Sequence, residues 1–218
     1  TAKVIPVLIA AFVWKKWNES VDILVFAAAS ALGFACIENA AYFSRVAIGL
    51  IVGRSLSAVV LHVCLTSLAV YGLFRRRYVR GSGGMPWVFG CFGAAVLAHG
   101  LYDWFISSSA GFGILSGFIL IYLMVVFRRM MENALSQSEF FAKSTFKINL
   151  TLYLFYGILG ILLMQFSILT VQYGLDLSLK NFGLNIMKFY VLCFILIVDF
   201  GNLTLVKHKW RSIFSREK

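Results

Sequence analysis

Six stretches of this chain are apolar enough, and nearly all long enough, to cross a bilayer: Val21–Phe43, Ser55–Phe74, Pro86–Ile106, Ala110–Phe127, Ile148–Gln172 and Ile186–Val206. A spanning helix needs about 20 mostly apolar residues, and in lipid every backbone N–H and C=O must be satisfied within the segment, which leaves helix as the conformation for each run. A seventh run, Val4–Trp14, is short, begins without a polar lead-in, and reads as the remainder of a helix whose first part precedes Thr1. The expected fold is therefore an all-α polytopic bundle of about seven spans. With 61% hydrophobic and 13% charged residues, the chain has the composition of a membrane protein.

The cations fix an expected threading. If the spans alternate, one side receives Lys15, Lys16, Arg75, Arg76, Arg77, Arg80, Arg128, Arg129, Lys143, Lys147 and all five basic residues of the tail; the other receives Arg45, Arg54, Lys180 and Lys188. Lys and Arg are retained in the cytoplasm. The first side, with the C-terminus, is thus expected to be cytoplasmic in a multi-pass protein of the cell membrane. The net charge of +11 is accounted for by topology and by lipid headgroups, so nucleic acid is not an expected partner. Cys36, Cys64, Cys91 and Cys193 lie inside spans without paired metal spacing and read as packing residues. Gly49–Gly53 and Gly113–Gly117 read as small-xxx-small pairs at close helix contacts.

Inside this apolar background stand a few ionisable groups. GFACIENAAYF carries Glu38 and Asn39, RSLSAVVLHVCL carries Arg54 and His62, and AVLAHGLYDWF carries His99 with Asp103 one turn further on. Phe34, Glu38 and Tyr42 follow one stripe. On the expected threading, Glu38, His62 and His99 all lie roughly 8 to 11 Å below the outer surface, at 1.5 Å of rise per residue. A charge at the centre of a spanning helix costs about 2.5 to 3.5 kcal/mol on insertion scales, and such residues usually line polar interiors. Three in one layer point to chemistry rather than packing.

Carboxylate and imidazole together suit two chemistries. Glu38, His62 and His99 form a candidate divalent-metal set, zinc being the natural choice, with an open position for water. Alternatively, carboxylates act as general acid and base without a metal. The pattern does not choose between them. A proton-coupled transporter would also bury Glu and His, but related halves and broken helices are not visible in the sequence. A membrane scaffold or inactive homologue would retain the same groups. Asp199 and Asn202 lie far from the layer and are expected to be packing residues.

The order of these motifs, F-x-x-x-E-N at Phe34–Asn39, Arg54 with His62, and HGLYD at His99–Asp103, resembles the PrsW family of intramembrane proteases, distant relatives of CAAX-processing membrane proteases. The resemblance covers residues 1–127 and leaves a polar connector, 128–147, and two further helices with a basic tail, 148–218. It implies hydrolysis of peptide bonds in or near the membrane in membrane-bound regulatory proteins, anti-sigma factors among them, and the depth expected from the threading is compatible with a cut near the extracytoplasmic side. It also implies catalytic roles for Glu38, His62 and His99, with Lys3, Asn39, Arg54 and Asp103 supporting, and Asn39 hydrogen-bonding beside Glu38. The family carries an upstream E-E-x-x-K motif. If Lys3 is its lysine, two glutamates of the active site are expected before Thr1.

Overall fold

The computed structural model describes residues 2–43, 48–79, 84–108, 113–138 and 149–201. They form the helices α1 (Val4–Val13), α2 (Asp22–Phe43), α3 (Ile48–Tyr78), α4 (Met85–Ser107), α5 (Gly113–Ser136), α6 (Leu150–Tyr173) and α7 (Leu175–Gly201). Five, within α2 to α6, are long and apolar enough to cross a membrane, and α1 is a shorter apolar helix. The chain is a polytopic all-α membrane protein. The last expected span, Ile186–Val206, falls partly outside the described residues.

The described residues divide into two units. The first holds residues 2–34, 60–79, 84–108 and 113–138; the second holds 35–43, 48–59 and 149–201.

At the centre of the first unit runs the C-terminal part of α3. Leu61, Cys64, Leu65, Leu68 and Tyr71 are buried there at the three- and four-residue steps of one helical face, and Phe74 continues it. Gly72 marks the tightest approach: a Cβ on it would lie 2.5 Å from Val88 Cα, so the backbones of α3 and α4 meet at this point. The pair Gly113–Gly117, expected to mark such a contact, shows none among the described residues. Nothing described lies within 4 Å of where either Cβ would be. Spacing alone identifies small residues; whether a neighbouring backbone fills the space depends on where α4 packs. Gly49 and Gly53 lie among residues whose side chains are not described.

Helix α5 runs on to Ser136, nine residues beyond the expected span end at Phe127. The reason is burial: Leu120, Leu123 and Met124 form an apolar stripe that Met130, Asn133 and Ala134 continue at the same spacing, so the inward face persists after the outward face turns polar. Arg128 and Glu132, one turn apart, pair at 3.1 Å. Asn133 donates to the Tyr71 hydroxyl at 2.9 Å, and Ser20 donates to the Ala134 carbonyl at 2.7 Å. Nearby, Trp17 is buried beneath the Arg77 guanidinium, 4.8 Å from the ring centroid.

In the second unit, α6 ends at Gly174, whose φ of +82° lies in the region that favours glycine, and α7 begins at the next residue. The rings of Phe166 and Phe182 lie 5.1 Å apart. A continuous helix would separate them by about 24 Å, so the chain turns back on itself at this glycine. The stretch between the last two expected spans, which includes Lys180, is accordingly helix rather than loop. Leu56 and Leu169 form this unit's small apolar core, with Leu162 and Cys193 packed against it.

Candidate functional site

Each unit gathers part of the expected layer. In the first, Lys3 immediately precedes α1, Phe34 lies on α2, His62 on α3 and His99 with Asp103 on α4. His62 is buried at 3% exposure, and its Nδ1 meets the Lys3 ammonium. The Lys3 Nζ also stands 4.5 Å above the centroid of the Phe34 ring, and that ring meets His62 edge-on at 5.5 Å. On the far side of His62 the His99 imidazole lies 5.8 Å away, its plane tilted by only 19°. Asp103 Oδ2 then lies 2.8 Å from His99 Nδ1. Ser30, one turn before Phe34, donates to the Lys3 carbonyl at 2.6 Å and holds the start of α1 in place.

The sequence pairing of His99 with Asp103 is therefore a direct contact, because residues four apart share a helical face. The side chains are 36% and 56% exposed, so the pair sits at the margin of the packed unit while His62 sits inside it. In its neutral form, the His99 imidazole donates from Nδ1 to the carboxylate and keeps Nε2 as its acceptor.

The second unit holds Glu38, Asn39, Tyr42 and Arg54. Arg54 Nη2 lies 3.7 Å from Glu38 Oε2, and its guanidinium stacks on the Tyr42 ring at 3.7 Å from the centroid. The Asn39 side-chain oxygen is buried and has no hydrogen-bond partner among the described residues. On α2, Ser30 and Phe34 thus hold Lys3 and His62 in the first unit, and Glu38 and Tyr42, on the four-residue stripe read from the sequence, hold Arg54 in the second. Phe34 and Tyr42 were visible in the sequence as part of that stripe. Their use as seats for cations was not, because aromatic residues are common in every span.

The metal set anticipated from sequence meets a physical difficulty. Zinc takes imidazole through an unprotonated ring nitrogen. His99 meets that condition through Nε2, with Asp103 orienting the ring as carboxylates orient metal-binding histidines. At His62 the Nδ1 side of the ring is already taken by the Lys3 side chain. Among the described residues no three His, Cys, Asp or Glu side chains group as metal ligands. His62 and His99 belong to the first unit and Glu38 to the second, so neither unit holds the whole proposed set by itself, and no step below is routed through a metal.

The apolar helices long enough to cross a membrane define a polytopic membrane protein that carries a histidine pair and a carboxylate among them. The sequence model of the PrsW family of intramembrane metalloproteases matches residues 1–130, which include every group just described. The chain belongs to that family, and so to the membrane proteases. Comparisons with curated proteins and with solved structures gave no match.

Proposed function

We propose that this protein cleaves membrane-bound regulatory proteins, of the anti-sigma-factor kind, near the extracytoplasmic side of the cell membrane. The observation that carries the reading is the His62–His99 pair with Asp103 behind it, inside the region that matches the family. Glu38, His62 and His99 are the proposed catalytic groups, with Lys3, Asn39, Arg54 and Asp103 supporting them. The assignment of Glu38 to the same layer rests on the sequence: it lies one turn beyond Phe34 and five residues before α2 ends.

In this reading Glu38, with Arg54 Nη2 3.7 Å from its carboxylate, is the general base that takes a proton from the attacking water. His99, held by Asp103 with Nε2 as acceptor, takes up the proton that the attacking water has lost and passes it to the departing amine. His62 donates a hydrogen bond from Nε2 to the peptide carbonyl as negative charge develops on its oxygen. A substrate helix reaches these groups from the lipid, and the C-terminus of the enzyme lies in the cytoplasm.

The test is cleavage of a tagged single-span protein by the intact enzyme in proteoliposomes. His99→Gln is expected to lower the rate by about 100-fold, within the range for a proton-transfer group. Unchanged cleavage in His99→Gln, or no cleavage by the wild type across a panel of anti-sigma-factor substrates, contradicts the reading.

A further inference from the structure

We infer that Lys3 and Phe34 together form a seat that fixes His62 as the Nε2–H tautomer, making it a permanent hydrogen-bond donor rather than a metal ligand. Three contacts within one unit carry this. Lys3 Nζ meets His62 Nδ1, Lys3 Nζ stands 4.5 Å above the Phe34 ring, and the same ring meets His62 edge-on at 5.5 Å.

The hydrogen-bond inventory sets the tautomer. An ammonium has three donors and no acceptor, so Nδ1 must present its lone pair, and a neutral imidazole then carries its one proton on Nε2. Phe34 supplies the reason for the ammonium to stay charged and in place: the negative face of an aromatic ring attracts a cation, and more strongly where water is scarce. The backbone contributes as well, since Ser30 ties the Lys3 carbonyl to α2 and thereby fixes where the lysine side chain begins. His62 is 3% exposed, so bulk water does not compete for Nδ1.

The two imidazoles are thus made unequal by their partners. Asp103 accepts from His99 Nδ1 and leaves Nε2 of that ring free to accept. Lys3 donates to His62 Nδ1 and leaves Nε2 of that ring to donate. Two stacked histidines, 5.8 Å apart, accordingly offer one acceptor and one donor. Lys3 and Phe34 are positioning residues, acting through His62. What the donor does in turnover rests on the proteolytic reading above; the tautomer itself does not.

Nitrogen-15 NMR of histidine-labelled protein in bicelles tests this without substrate. The chain has three histidines, so His62→Gln and His99→Gln variants assign the signals. The expected spectrum for His62 has a pyridine-type Nδ1 and a protonated Nε2. Lys3→Met should convert it to a mixture of tautomers, Phe34→Leu should move it part of the way, and Phe34→Trp should restore it. Added zinc should leave the His62 signals in place. A protonated Nδ1 in the wild type, a spectrum unmoved by Lys3→Met, or a zinc-induced shift of His62 Nε2 overturns the inference. If Lys3→Met fails to fold, the wild-type tautomer decides alone. Absence of proteolysis would sink the catalytic reading and leave this result standing.

Discussion

His62 and His99 come from different helices, yet their rings lie 5.8 Å apart and within 19° of parallel. Only His62 is enclosed, and each ring is held at Nδ1 by a partner of opposite hydrogen-bonding character, a lysine for one and an aspartate for the other. The difference between the two histidines lies in these partners, not in the rings.

Asp103 is the partner most easily tested. Asp103→Asn keeps the size of the side chain but removes the charge that orients His99, and outer groups of this kind typically contribute about 10- to 100-fold. Cleavage rates in proteoliposomes should fall by that amount while the protein stays folded. Since Asp103 is more than half exposed, little loss of stability is expected.

Gly72 is expected to be intolerant where Gly113 is not. A methyl group at Gly72 would meet Val88 Cα at 2.5 Å, backbone that cannot rotate away, and overpacking of this sort costs about 1 to 3 kcal/mol. Gly113→Ala meets nothing within 4 Å. Thermal unfolding in detergent should show a clear loss for Gly72→Ala and little change for Gly113→Ala. Equal effects would contradict the packing of α3 on α4.

Tyr71→Phe removes the hydroxyl that accepts from Asn133, leaving a buried amide without that partner. Loss of one such buried hydrogen bond costs about 0.5 to 1.5 kcal/mol. The same unfolding assay should register it. Replacing Asn133 by Leu as well should recover part of the loss, because both polar groups are then gone.

Much of this architecture was legible because lipid leaves a spanning segment one conformation, so the apolar runs give helices at close to their true positions. The ends were not. Helix α5 passes Phe127 because Met130, Asn133 and Ala134 continue a buried face that an average over all sides of the helix obscures. The turn at Gly174 takes one residue, too short to interrupt a hydropathy pattern. Within the site, Glu38, His62, His99 and Asp103 were conspicuous as ionisable groups in apolar surroundings. Their pairings depend on how separate helices pack, which one sequence does not encode locally. The His99–Asp103 contact, set by helical periodicity alone, is the exception.

Topology follows from the distribution of Lys and Arg. A reporter fused after Lys218 should be cytoplasmic, and one inserted between Ile106 and Ala110 extracytoplasmic. Finding both on the same side would contradict the proposed threading.

The central claim is that Glu38 does chemistry. Glu38→Gln preserves shape, retains a weaker contact for Arg54 and removes the negative charge that a general base requires. Rates of cleavage of a tagged single-span substrate by wild type and Glu38→Gln, measured in proteoliposomes on samples with matched unfolding temperatures, test this directly. The account predicts a fall of at least about 100-fold with folding intact. Cleavage at the wild-type rate would contradict it and make Glu38 a structural partner of Arg54.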